Sequence, residues 1–187
     1  MNAPNEQEWL QAAQRFDPEA LAAIYDYYSP RLYAYAMRLL GNRDLAEECV
    51  AETFARFLHA LHVGHGPRQQ LQAYLYRTAH NWITDRYRRQ PPPSLNTDDI
   101  DLSTGTPNPE TSLETAWMRQ RLRRALWQLT PDQRQVILLR FVEDLDNETV
   151  AAVLQKPVGA VKALQHRALV ALRRILEREV ENVPNPS

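Results

Sequence analysis

Residues 90–112 read QPPPSLNTDDIDLSTGTPNPETS, unlike anything else in the chain. The segment carries five of the 13 prolines, many Ser, Thr and Asp, and only Leu95, Ile100 and Leu102 as large apolar side chains. Such a stretch cannot bury enough apolar surface to offset its ordering entropy, and its triple proline gives it a stiff start. It reads as a linker, and it divides the 187 residues into two small blocks. The expected organisation is a first domain over 1–90, a linker over 91–112, a second domain over 113–180 and a tail over 181–187. At ~3.3 Å per residue the linker reaches about 70 Å, roughly two turns of B-DNA.

Both blocks read as helical. Asn5 is placed to cap a helix through Glu6–Gln14. Asp17-Pro18, Ser29-Pro30 and Thr130-Pro131 each set a capping residue before a proline. That pair starts a helix because proline fixes φ where its missing N–H costs nothing. The pattern predicts helices over Pro18–Tyr28, Pro30–Leu40 with Gly41 as its stop, and Pro131 to about Val142. Leu45, Cys49, Phe54, Phe57, Leu58 and Leu61 recur at helical spacing and predict a helix over Asp44–His62, broken by HVGHGP. Further helices are expected over Leu71–Arg89, Leu113–Trp127, Asn147–Leu154 and Val158–Val180. Nothing alternates as a strand would, and no internal repeat is present. The expected fold class is all-α, two small helical domains joined by the Pro-rich linker.

Composition removes several function classes. Apolar residues are 44% and charged residues 24%, ordinary for a globular chain. No GxGxxG or GxxxxGK[ST] string occurs, so no phosphate-cradling loop is expected. Cys49 is the single cysteine, which rules out an internal disulfide and a multi-cysteine zinc site. No apolar run approaches the ~20 residues of a membrane span, and the first residues show no secretory pattern. The expectation is a soluble cytoplasmic protein with no membrane insertion. His59, His62 and His65 lack the carboxylate of an HExxH arrangement, so no metal and no cofactor are expected. No pair of carboxylates is set for acid–base work, so no catalytic residue is expected.

The net charge of −1 hides a segmentation. Residues 1–66 sum to −4, 67–90 to +4, 91–112 to −4 and 113–187 to +3. Local basic faces are the footprint of polyanion binding, and they are also what solvated helix surfaces look like. In the second block, two helices joined by about three residues have helix-turn-helix spacing. Val161, Leu164, Ala168, Leu172 and Ile175 form the stripe to be buried on the second helix. Lys162, His166 and Arg173 lie opposite, flanked by Arg167, Arg174 and Arg178, and Lys, Arg, Gln and His side chains on such a helix can reach base edges in a major groove. A plain helical hairpin would share these features. In the first block, Tyr74, Arg77, Asn81, Asp85 and Arg88 share one face of the helix at 71–89. Stacking rings, an amide and cations together suit single-stranded nucleic acid. Tyr76, Trp82 and Tyr87 add aromatic density, and Arg86, Arg88 and Arg89 are phosphate-contact candidates. Asp44, Glu47, Glu48 and Glu52 make an acidic face suited to a protein with basic helices.

In this order the parts resemble bacterial RNA polymerase sigma factors of the extracytoplasmic function (ECF) group, over about residues 10–178. Asp44-Leu45-Ala46-Glu47-Glu48 through Glu52-Thr53-Phe54 is similar to the region 2.2 signature. Tyr74-Leu75-Tyr76-Arg77 with Asn81, Asp85, Arg88 and Arg89 is similar to regions 2.3 and 2.4. Leu129-Thr130-Pro131 with Gln133-Arg134 and Val136–Phe141 resembles region 4.1. Leu145, Glu148, Ala151, Pro157, Gly159, Val161, Lys162, Arg167 and Ala168 resemble the region 4.2 helix-turn-helix. Three departures stand out: Gln155 where the family often has glycine, His80 where arginine is frequent, and Leu164-Gln165 in place of a common Arg-Leu.

The resemblance implies a sigma factor that binds core RNA polymerase and directs promoter recognition in a stress or signal response. It assigns polymerase docking to Asp44, Glu47, Glu48, Glu52 and Phe54. It assigns the single-stranded −10 element to Tyr74, Arg77, Asn81, Asp85, Arg88 and Arg89. It assigns the duplex −35 element to Lys162, Gln165, His166, Arg167 and Arg173. It also implies an anti-sigma factor as a partner and no enzymatic activity, and the short stretch after the last helix leads to the expectation of no appended regulatory domain. Two other readings remain. One is a stand-alone helix-turn-helix regulator that binds operator DNA without polymerase. The other is a helical enzyme using the histidine cluster.

Overall fold

The structure is a computed structural model that describes residues 5–89 and 113–181. The expected linker and the tail beyond Glu181 lie outside the described residues. The described residues form eight α-helices and one π-helical turn, with no strand among them. The first block contributes α1 (Glu6–Ala13), α2 (Pro18–Leu40), α3 (Arg43–His62) and α4 (Leu71–Arg89). The second contributes α5 (Leu113–Gln128), α6 (Pro131–Ile137), the π turn (Leu138–Val142), α7 (Asn147–Leu154) and α8 (Val158–Glu181).

Local capping chemistry sets the starts of α2, α3, α6 and α7. The Asp17 carboxylate accepts from Ala20 N at 2.9 Å, and Asn42 accepts from Leu45 N at 2.9 Å. Asp146 accepts from Thr149 N at 2.7 Å. Those backbone donors would otherwise be orphaned in the first turn. Thr130 and Gln133 satisfy each other's backbone N–H groups in a reciprocal capping box ahead of Pro131. Gly41 ends α2 in the left-handed conformation at φ 60°, a conformation that costs glycine least. Asn5 differs from expectation: it precedes α1 but makes no side-chain cap.

Two expected boundaries are corrected. Ser29-Pro30 does not start a new helix; Pro30 sits inside the 23-residue α2. An interior proline removes one backbone bond and costs about 3 kcal/mol. Ile24, Tyr28, Leu32 and Tyr35 are all fully buried on one continuous stripe across it. Losing that stripe would cost more than the missing bond. The helix begun at Pro131 does not stay α-helical to Val142. It widens at Leu138, where Glu143 N bonds Leu138 O at 2.9 Å, and it ends on Asp144 at φ 52°.

Helices α1–α4 close around Leu10, Ile24, Tyr28, Leu32, Leu39, Phe57, Leu71, Leu75 and Ile83. Leu58, expected on the buried stripe of α3, is 41% exposed. Inside the bundle the Tyr28 hydroxyl donates to Glu6 Oε2 at 2.6 Å. Helices α5–α8 close around Ala125, Leu129, Val136, Leu138, Leu139, Val150, Val153, Val161 and Ala168. Arg134 is buried here, with its guanidinium 3.9 Å above the Trp127 ring. It donates to the carbonyls of Leu126 and Trp127 at 2.9 Å, closing the C-terminal end of α5. The two bundles are docked: α7 packs on α4, and the buried apolar residues form one continuous cluster.

The ledger of contacts predicts a graded response. Phe57→Ala should lower stability by about 3–5 kcal/mol, the cost of a large core cavity. Thr130→Ala should cost about 1 kcal/mol, the worth of one cap. Urea unfolding followed by circular dichroism measures both, and equal losses would contradict this assignment of core and cap.

Candidate nucleic-acid and docking interfaces

Helix α4 presents three faces. At 100° per residue, Leu71, Leu75, Ala79 and Ile83 cluster on one side and are fully buried. Tyr76 and His80 lie further round, toward the second bundle. Tyr74, Arg77, Asn81, Asp85 and Arg88 take the remaining face. Along that face Tyr74, Arg77 and Asn81 are half-buried, while Asp85, Arg88 and Arg89 are exposed. The Tyr74 ring tilts against Phe57 at 6.0 Å, which fixes it on the surface of the bundle. The Arg77 guanidinium sits 5.7 Å from the same ring. Arg88 lies 3.7 Å from Asp85, both largely exposed. A contact of that kind is worth little and leaves the cation available to a polyanion. The face therefore offers a ring, an amide and cations within one helical stretch.

The extra aromatics do not join it. Tyr76 is fully buried and Tyr87 donates its hydroxyl to the Leu39 carbonyl, so both are packing residues. Burial pushes the Tyr87 phenol up to about 12. Trp82 is half-buried against the core. Rings at these positions fall on the inward side of α4, which the helical repeat forbids from meeting a surface ligand. His80 lies beside Asp132 and Lys156 of the second bundle. Its burial lowers the imidazole to about 4, keeping the ring neutral at physiological pH.

On α3, Asp44, Glu47 and Glu48 are exposed and Glu52 is partly so. Glu47 pairs with Arg43 at 2.9 Å and Glu52 with Arg56 at 2.7 Å, each one helical turn apart. Phe54 does not share this face. It is 7% exposed and packs on Tyr25 at 4.8 Å between ring centroids. Cys49 is also buried, and its thiol is pushed up to about 12 by burial, so it is an inert core group.

In the second bundle α7 and α8 are joined through Gln155, Lys156 and Pro157. Gln155 takes the left-handed conformation at φ 53° in the turn, a position that costs glycine least. Lys156 N returns to Ala151 O at 3.1 Å, which tightens the turn. Val161, Leu164 and Ala168 are buried, which fixes the rotation of α8. Lys162, His166 and Arg167 then project to solvent, Gln165 is half-buried, and Arg173 is exposed beside Glu177 at 2.7 Å.

The histidines do not converge on a site. His59 and His62 sit at the end of α3, and the His62 ring meets Phe16 edge-on at 6.2 Å. Among the described residues no group of three or more His, Cys, Asp or Glu could hold a metal ion. No helix among them is long and apolar enough to cross a membrane. Sequence reasoning missed one placement at the meeting of the bundles. The Glu143 side chain, only 7% exposed, accepts from Arg38 Nη1 at 3.1 Å and from the Tyr76 hydroxyl at 2.6 Å. Burial raises its pKa, against the opposing pull of Tyr76 and Arg38. Nothing in the string Val142-Glu143-Asp144 marks it as different from a surface carboxylate.

Comparison with known proteins supplies the frame for these faces. The Sigma-70 region 2 model matches residues 24–91 and the Sigma-70 region 4 model matches 119–172. The ECF RNA polymerase sigma factor SigL of Mycobacterium tuberculosis is 31% identical over 162 residues, covering 84% of this chain and 89% of its own. The ECF RNA polymerase sigma factor BldN of Streptomyces coelicolor is 29% identical over 171 residues. That match covers 90% of this chain but 65% of the Streptomyces protein. The fold is shared with the sigma factor RpoE of Bartonella quintana, solved with the anti-sigma factor NepR, at a TM-score of 0.64 and 24% identity. That likeness covers 83% of this chain and 96% of the other. With both region models in order and a relative alike along nearly its whole length, the chain belongs to the ECF group of RNA polymerase sigma factors, which bind core polymerase and direct promoter recognition.

Proposed function

We propose that the three faces divide the work of promoter recognition. The exposed carboxylates Asp44, Glu47, Glu48 and Glu52 dock on core polymerase. Tyr74, Arg77, Asn81, Asp85, Arg88 and Arg89 hold the opened −10 strand, with Tyr74 as the stacking surface and the arginines on phosphates. Lys162, His166, Arg167 and Arg173 contact the −35 duplex, with Gln165 at the edge of that face. Phe54 supports the docking helix from beneath and does not touch polymerase. The domains are 1–90 and 113–180, joined by the linker at 91–112. The protein acts in the cytoplasm, carries no chemistry of its own, and lends promoter choice to the polymerase. An anti-sigma factor is the natural restraint on it, by analogy with the Bartonella protein.

The observation that supports this reading best is the pairing of an aromatic–cationic face on α4 with a basic second helix on α8. A stand-alone operator-binding regulator has use for the second but not the first, and the region 2 match at 24–91 does not favour it. Run-off transcription with purified core polymerase and genomic fragments tests the proposal. Discrete transcripts should require both protein and polymerase. Tight duplex binding by the protein alone, with no transcripts, would overturn it.

Two multiply substituted variants test the separate faces. Charge reversal of Asp44, Glu48 and Glu52 together should abolish co-purification with core polymerase while leaving the helical signal unchanged. Undiminished co-purification would reject the docking role. Arg88→Ala with Arg89→Ala should weaken promoter opening and flatten its log–log salt dependence by about 1–2 units, the loss of two phosphate contacts. Opening that is equal at every salt concentration would return those arginines to ordinary surface.

A further inference from the structure

Glu143 comes from the second bundle, and both its hydrogen-bonding partners, Arg38 of α2 and Tyr76 of α4, come from the first. Burial raises the Glu143 pKa, and the Tyr76 hydroxyl and Arg38 pull the other way. Arg31 adds a further positive charge, although its own guanidinium is stacked 3.8 Å over Tyr27. The Tyr76 ring is braced edge-on by Tyr35 at 5.4 Å, and both rings are fully buried. The backbone is shaped to deliver the side chain. The π turn at Leu138–Val142 widens the helix just before it, and Asp144 at φ 52° turns the chain just after it. A non-glycine residue in that region is uncommon and is held by its surroundings.

The docked arrangement conflicts with the proposed work of the two DNA faces. Elements named −10 and −35 are centred about 25 base pairs apart, or ~85 Å of duplex at ~3.4 Å per pair. In the docked body α7 packs on both α4 and α8. Two interaxial steps of ~10 Å therefore bring α8 to within roughly 20 Å of α4. One body of that size cannot place α4 on one element and α8 on the other.

We propose that Glu143 is an internal latch: its contacts with Arg38 and Tyr76 hold the two bundles in a docked state that cannot engage both promoter elements, and its release precedes promoter binding. This rests on the reading of α4 and α8 as the DNA faces. Removing one partner of a buried charged contact strands the other, so the docked state loses far more than an exposed pair would supply.

The test uses the full chain without polymerase or DNA. Fluorophores are placed on cysteines introduced at the exposed positions Gln11 and Arg174, and Cys49 stays buried and unreactive. Wild type should show high energy transfer. Glu143→Arg should raise the open-to-docked ratio at least about tenfold. Tyr76→Phe should move it the same way by less. The charge swap Arg38→Glu with Glu143→Arg should restore high transfer. Unchanged transfer in Glu143→Arg, or no recovery in the swap, overturns the latch. If Glu143→Arg loses its helical signal, the near-isosteric Glu143→Gln decides: reduced transfer supports the latch, and wild-type transfer overturns it. Run-off transcription with the opened variant then separates the two readings. Half-maximal transcription at several-fold lower protein concentration is expected. Absence of transcripts from wild type and variant alike would count against the promoter reading while the transfer result stands.

Discussion

Everything in this protein leans on α4. A surface helix normally buries one stripe against one core. Here Leu71, Leu75, Ala79 and Ile83 close the first bundle, while Tyr76 and His80 are turned toward the second. Only about a third of the circumference is left over, and the candidate −10 residues lie on that remnant. Their rotation is not free: a residue on α4 is exposed because its neighbours one position away are gripped on two sides. This is how a 19-residue surface helix presents side chains in fixed register.

Buried charge does a different kind of work from buried hydrocarbon. Arg134 and Glu143 would be expensive inside a protein if left alone. Arg134 is satisfied locally, by carbonyls at the end of α5 and by the Trp127 face, so it belongs to the second bundle whatever the first one does. Glu143 is satisfied only across the junction. Two charged residues, nine positions apart, therefore have opposite consequences. One completes a domain, and the other adds a charged cross-junction contact to the apolar packing of α7 on α4.

Much of the local structure was readable. Asp17-Pro18 and Thr130-Pro131 announced helix starts that the structure confirms with the expected side-chain bonds, because capping is decided by residues within one turn. Ser29-Pro30 carried the same signal and started nothing, because Tyr28, Leu32 and Tyr35 bind α2 to the core across it. The π turn left no mark in the sequence, although Leu138, Leu139 and Leu145 around it are all buried in the second core. Among candidate contacts, Asp44, Glu47, Glu48, Arg88, Arg89, Lys162, His166 and Arg167 lie on exposed surface. Phe54 and Tyr76 do not, because an aromatic ring in a helical string reads equally as ligand platform and as core.

Periodicity, capping pairs and the proline-rich break at 90–112 were enough to determine two all-helical blocks and the order of their basic and acidic faces. Those signals are local, and local backbone preferences extend only about a helical turn. Whether a charged side chain is solvated or sealed depends on which distant surface closes over it. Only the tertiary structure could decide that Glu143 is held between Arg38 and Tyr76 and that α4 serves two cores, since hydrogen bonds spanning 105 and 67 positions leave no trace in the spacing of residues.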